Sequence, residues 1–121
     1  MYTHEGESME LPIVTDEFMR EMRQKAKQYT VIFLKITPKI TEPGSDAIIW
    51  EHGRRNHALR LSGILPIVGP FTDGGECCGI GIFNATAEEA TRIMDEDPGV
   101  KAGIFTYEVH PMLSLPGEKL P

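Results

Sequence analysis

Two residues with useful chemistry share one helical stripe. Between Ser45 or Asp46, which can cap a helix, and Gly63, which can end one, the spacing predicts a helix. At about 100° per residue, Ile48, His52, Arg55, Leu59 and Ser62 fall in a narrow sector. His52 and Arg55 therefore sit on the same inward stripe as Ile48 and Leu59. An imidazole placed there can take or give a proton near neutral pH, and a guanidinium one turn on can hold an anionic oxygen. The plainer readings stay open: a core histidine satisfied by a backbone carbonyl, and an Arg55 paired with Glu51 across one turn. Three other places bear on the same chemistry. Asp97 precedes Pro98 at the end of a later predicted helix. A carboxylate there opposes the helix dipole by about 0.3–1 kcal/mol, so Asp97 is either a turn former or has another role. Asp73 lies in the glycine-rich loop TDGGE, where turn formation is its ordinary job. Gly69-Pro70 closes a short strand and is architectural, or borders a pocket with its backbone.

Other chemistries find little support. His57 lies about 140° round the helix from His52, nearer solvent, so the two do not form a helical metal pair. There is no HExxH or CxxC, no P-loop and no dinucleotide fingerprint, and we expect no metal and no cofactor. The run TDGGECCGIG sits in a hairpin and does not open a helix, which argues against phosphate cradling. The two cysteines, Cys77 and Cys78, are adjacent. Neighbours in a strand point to opposite faces, so an intrachain bond between them would be strained. They read as packed thiols in a reducing, cytoplasmic setting. A net charge of −6 argues against binding nucleic acid or an anionic membrane. No apolar run approaches the roughly 20 residues needed to cross a bilayer. The N-terminal MYTHEGESMELP lacks the basic-then-apolar pattern of a signal peptide.

These residues must be held by a scaffold that the pattern also indicates. Residues 1–14 carry no periodic signal. A helix over about 16–28, capped by Thr15 or Asp16, bears an apolar stripe of Phe18, Met22 and Ala26 with Met19 beside it, and we expect it to pack as an extension. Tyr29–Thr37 reads as a strand ended by Pro38, apolar on both faces. After the helix with His52 come a strand at Ile64–Val68 and another at Cys77–Phe83. The latter puts Cys78, Ile80 and Ile82 on one face and Gly79, Gly81 and Phe83 on the other. Interior strand glycines often mark close approach to the backbone, here by a flat ligand. A helix capped by Asn84 or Thr86, with Glu89 completing a capping box in the latter case, ends near Asp97-Pro98. Ala102–His110 is the last strand, and SLPGEKLP is irregular.

The order is β-α-β-β-α-β after an extra N-terminal helix, the ferredoxin-like α+β arrangement with a four-stranded antiparallel sheet. The expected division is an N-terminal extension over 1–28, a core domain over 29–112 and a tail over 113–121. Both helices pack on one sheet face. The other face, carrying Val, Ile and Phe, calls for a second copy of the chain, so a homodimer packed sheet on sheet is expected.

The run His52-x10-Gly63-x5-Gly69-Pro70, followed by Asp97-Pro98 and Val100-Lys101-Ala102-Gly103, resembles the YciI-like (YCII-related) family over about 29–112. The resemblance implies a ferredoxin-like fold paired into a dimeric α+β barrel, with an active site formed by a histidine and an aspartate. His52 matches the histidine. Asp97, in the matched DP step, is the first choice for the aspartate and Asp73 the second. Some relatives are lyases or dehydrochlorinases acting on hydroxylated aromatic rings, and the resemblance implies such chemistry on a small substrate here. The inward turn of His52 and Arg55, read from the helix itself, sets the expected site in a cavity roofed by that helix. The readings to be separated are thus a cofactor-independent lyase or isomerase using a His–Asp acid–base pair, a non-catalytic ligand-binding or regulatory module, and a dimeric-barrel oxygenase.

Overall fold

The computed structural model of the protein describes residues 9–121; most of the stretch without periodicity over 1–14 lies outside it. The first helix, α1 (Asp16–Lys25), starts where Thr15 Oγ1 accepts the amide of Phe18 at 3.1 Å. It is shorter than its pattern suggested. Ala26 turns to extended geometry, and the first strand, β1 (Lys27–Ile36), starts at once, because Lys27 and Gln28 find partners in Ser114 and Leu113 of the last strand. No residue of α1 is buried, and Phe18 and Met19 of its stripe stay about half exposed among the described residues.

A 3₁₀ turn, Pro38–Thr41, leads to α2 (Ser45–Leu61). The cap of α2 is Gly44 at φ +89°, rather than Ser45 or Asp46. Ser45 is already inside the helix and its hydroxyl donates to the carbonyl of Lys39 at 2.8 Å. Gly63, at φ +85°, follows the end of α2 as expected. The second strand, β2 (Ile67–Pro70), begins later than its pattern suggested. The Leu65 amide is held by the Leu59 carbonyl at 3.2 Å, and the Ile64 carbonyl by the Asn84 amide at 2.8 Å, so this stretch descends from helix to sheet. Leu65, 1 % exposed, is spent on the core.

The third strand, β3 (Cys77–Phe83), falls where expected. Then comes α3 (Ala87–Asp95), with the full capping box between Thr86 and Glu89. A further one-turn helix, α4 (Pro98–Lys101), separates it from β4 (Phe105–Ser114).

The strands lie in the order β2-β3-β1-β4 and all three pairings are antiparallel. This is the ferredoxin-like α+β fold. Proline is tolerated in β2 because that strand is at the sheet edge. On the helix side, Ile32, Leu65, Phe83, Ala90 and Met94 form the core cluster. On the other face the registers set Val31 beside Ile82 and Phe33 beside Ile80. That face is less uniformly apolar than β1 alone implied: β4 sets His110 opposite Val31 and Glu108 opposite Phe33, and Glu108 pairs with Lys35 and His110.

Candidate functional site

His52 sits midway along α2 and, with Ser45, is one of the two buried residues of that helix. Its Nδ1 partner is a carboxylate and not a backbone carbonyl. Nδ1 lies 2.8 Å from both carboxylate oxygens of Asp97, which is only 1 % exposed. An ionised carboxylate can only accept, so Nδ1 donates. The ring's other nitrogen, Nε2, lies 3.2 Å from the side-chain amide of Asn56, one turn further along α2. In the neutral ring Nε2 carries the lone pair and the Asn56 amide donates to it.

Asp97 is placed by local sequence. A residue before proline is pushed into extended geometry, here φ −67° and ψ 133°, and proline is favoured at the first position of a helix. Asp97 is therefore the N-cap of α4, and its Oδ2 accepts the amides of Gly99 at 2.9 Å and Val100 at 3.2 Å. The expectation of a carboxylate working against the dipole at the end of α3 is overturned, because α3 stops at Asp95 and a new helix starts at Pro98. Burial alone would push the Asp97 carboxyl up. The His52 hydrogen bond and charge, with the Val100 and Gly99 amides, outweigh it and hold the group below its ordinary value.

The imidazole also packs on the Phe105 ring, with centroids 4.7 Å apart and planes tilted by 45°. That packing depends on Gly99. A Cβ at this position would stand 2.4 Å from Phe105 Cδ2 and 3.1 Å from Asp97 Oδ2. Residues from α2, α4 and the start of β4 thus meet around one ring.

Behind the dyad, Arg55 Nη1 stands 3.9 Å from Asp97 Oδ1. Glu51, the alternative partner considered for Arg55, is taken by Arg54 at 3.1 Å. Arg55 is absent from the cavity wall and faces the carboxylate side of the pair.

The cavity lies where α2 stands off the sheet and measures about 560 Å³. Leu34, Ile36, Val68, Phe71, Phe83 and Met94 give it an apolar wall, and His52, Asn56 and His57 its nitrogen-bearing side chains. Gly69 and Pro70 line it, as do Gly79 and Gly81. The two β3 glycines also answer to packing: a Cβ would stand 3.1 Å from the Gly69 carbonyl oxygen at Gly79 and 3.0 Å from Leu65 Cδ1 at Gly81. Cys78 borders the cavity as a thiol that burial and the neighbouring Cys77 push up, which disfavours the thiolate. Asp73 lies off this wall, exposed, and its Oδ1 accepts the Gly75 amide at 3.2 Å in a local turn.

Among the described residues no group of three or more His, Cys, Asp or Glu side chains is placed to hold a metal ion, and no helix is long and apolar enough to cross a membrane. Asn56, Phe105 and Gly99 were not singled out from the sequence. Asn56 was visible as the i+4 neighbour of His52, whereas Phe105 and Gly99 become neighbours of the ring only through the tertiary fold.

No family profile matches the chain, so its likeness to the YciI-like family rests on the residues quoted for it. No curated protein matches either. Among solved structures, one similar chain is a 5-chloro-2-hydroxyhydroquinone dehydrochlorinase from Burkholderia phenoliruptrix AC1100, in complex with 2,5-dihydroxybenzoquinone. It is 20% identical with a TM-score of 0.48, over 68% of this chain and 90% of that one. The chemistry of the site is accordingly read from its own geometry.

Proposed function

We propose that this protein is a small-molecule lyase or isomerase in which His52, oriented by Asp97, moves a proton on the substrate. One observation carries the reading: Asp97 occupies Nδ1 of an imidazole that borders an apolar cavity, so a ligand would engage Nε2, in place of the Asn56 amide that donates to it at 3.2 Å. Nε2 would take a proton from a hydroxyl or an activated carbon. The imidazolium so formed is stabilised by the buried carboxylate, and the proton returns to the substrate or its leaving group. Asn56 is placed to hold the ring plane and to follow the proton. The wall residues are apolar or uncharged apart from histidine, which favours a largely apolar, flat substrate with a hydroxyl at the His52 end.

The test is turnover of a panel of hydroxylated aromatics and hydroxy acids by the parent, His52→Ala and Asp97→Asn. The parent should convert at least one compound and His52→Ala should not. Equal turnover by both would remove His52 from the mechanism. The scarcity of polar groups in the wall favours a second reading, a non-catalytic binding module. In that case compounds bind the parent and return unchanged.

A homodimer belongs to the same proposal. On the sheet face opposite the helices, Phe33, Ile80 and Ile82, each half-buried, form an apolar centre beside the buried Val31. A second copy packed there would cover it.

A further inference from the structure

A second hollow of about 610 Å³ lies along α2, bordered by Asp46, Trp50 and Arg54. It shares Ile49, Gly53 and His57 with the cavity at His52. Gly53 is in the interior of α2, where glycine is the least favourable residue short of proline. Packing does not explain it, because a Cβ there would meet nothing within 4 Å. Its effect is to leave the shared wall without a side chain at that point. Beside the gap is Trp50, the chain's one tryptophan, with 70 % of its surface exposed. A large aromatic face left open beside a hollow is a ready stacking surface. His57, exposed on the same helix, borders both spaces and takes no part in the His52–Asp97 pair.

We propose that the two hollows form one elongated binding site joined at Gly53, which takes a two-ring planar ligand. The hydroxylated ring lies at His52, and the second ring passes Gly53 and stacks on Trp50. The assignment of the hydroxylated end rests on the proposed role of His52; the elongated shape does not. Gly53 and Trp50 are then the residues that set ligand length.

The test compares phenol with 4-phenylphenol, by calorimetry and by the emission of Trp50. In the parent, 4-phenylphenol should alter Trp50 emission, and phenol at equal occupancy should not. Gly53→Leu should weaken 4-phenylphenol about tenfold or more relative to its effect on phenol, since it fills the gap that only the second ring must pass. Trp50→Ala should weaken 4-phenylphenol roughly 3- to 10-fold, the range of aromatic stacking. If Gly53→Leu fails to fold, Gly53→Ala, which should melt at or above the parent's temperature, replaces it with a smaller effect in the same direction. Three results would each overturn the proposal: no binding of either compound at millimolar concentration, equal effects of the variants on both ligands, or 4-phenylphenol bound with Trp50 emission unchanged. The readout is separate from turnover. Length discrimination by Gly53 and Trp50 without conversion of any compound would defeat the catalytic reading and leave the elongated site standing.

Discussion

Asp97 does two jobs with one carboxylate, and substitution can separate them. Asp97→Ala removes the α4 cap, worth about 1 kcal/mol, and a charge-assisted hydrogen bond to His52, worth about 1.5–3 kcal/mol. The expected loss is about 2.5–4 kcal/mol. Asparagine caps helices as well as aspartate, so Asp97→Asn should keep the Gly99 and Val100 amides satisfied and lose less than about 1.5 kcal/mol. Asparagine has a single oxygen, however. Committed to the amides, it turns its NH₂ toward Nδ1, which must then accept. The ring proton moves to Nε2, the nitrogen assigned to the substrate. A wrong tautomer in a comparable pair costs on the order of 10⁴-fold in rate. Urea unfolding would read the stability difference. With a slope of about 2 kcal/mol per molar, alanine should shift the midpoint down by roughly 1.2–2 M and asparagine by less than about 0.8 M. The ¹⁵N shifts of the His52 ring would report the tautomer directly. Equal midpoints for the two variants, or a proton still on Nδ1 in Asp97→Asn, would refute the division of labour.

Three further outcomes are expected. Gly99→Ala forces a Cβ to within 2.4 Å of the Phe105 ring, and such overpacking should cost about 2–3 kcal/mol, seen as a melting temperature lower by roughly 10 °C; a variant as stable as the parent contradicts the packing described. Because the Asp97 carboxyl is held below its ordinary value of 3.8, its contribution to stability is present above that pH and is lost as pH falls through the lower folded value. The parent's urea midpoint should thus decline more steeply below about pH 3.8 than that of Asp97→Asn, and parallel declines would remove Asp97 from acid sensitivity. Light scattering of the parent at micromolar concentration should give twice the chain mass and Phe33→Lys the single mass; a monomeric parent would end the proposal of sheet-on-sheet pairing.

The fold was legible where local signals are clear. β3 falls on its pattern because the Cys77–Phe83 run is bounded by turn residues, and along α2, where the apolar pattern is weak, His52 is nonetheless buried and Leu59 packs on the core as their shared stripe suggested. Ile64–Val68 was misleading because a run of apolar residues looks the same whether it pairs with a strand or plugs the core, as Leu65 does. Asp97-Pro98 was read as the end of a helix, yet the same two residues form a cap and a first-position proline. Local sequence marks the boundary and not which helix it belongs to. The pairing of His52 with Asp97, 45 residues apart, came from resemblance, since no local pattern encodes a contact across that separation. Gly99 stayed hidden for the same reason, as the ring it makes room for belongs to the next strand.

The hollow under α2 has a practical consequence. A ligand that occupies it binds the folded chain and not the unfolded one, so it must raise the melting temperature whatever reaction follows. At a concentration one hundred times its dissociation constant it adds about 2.7 kcal/mol, which for a chain of this size is roughly 10 °C. The protein can therefore serve as its own detector. A thermal-shift survey of a compound library would rank candidate substrates before any product has been identified, and a shift that survives in His52→Ala would separate what fills the space from what engages the imidazole.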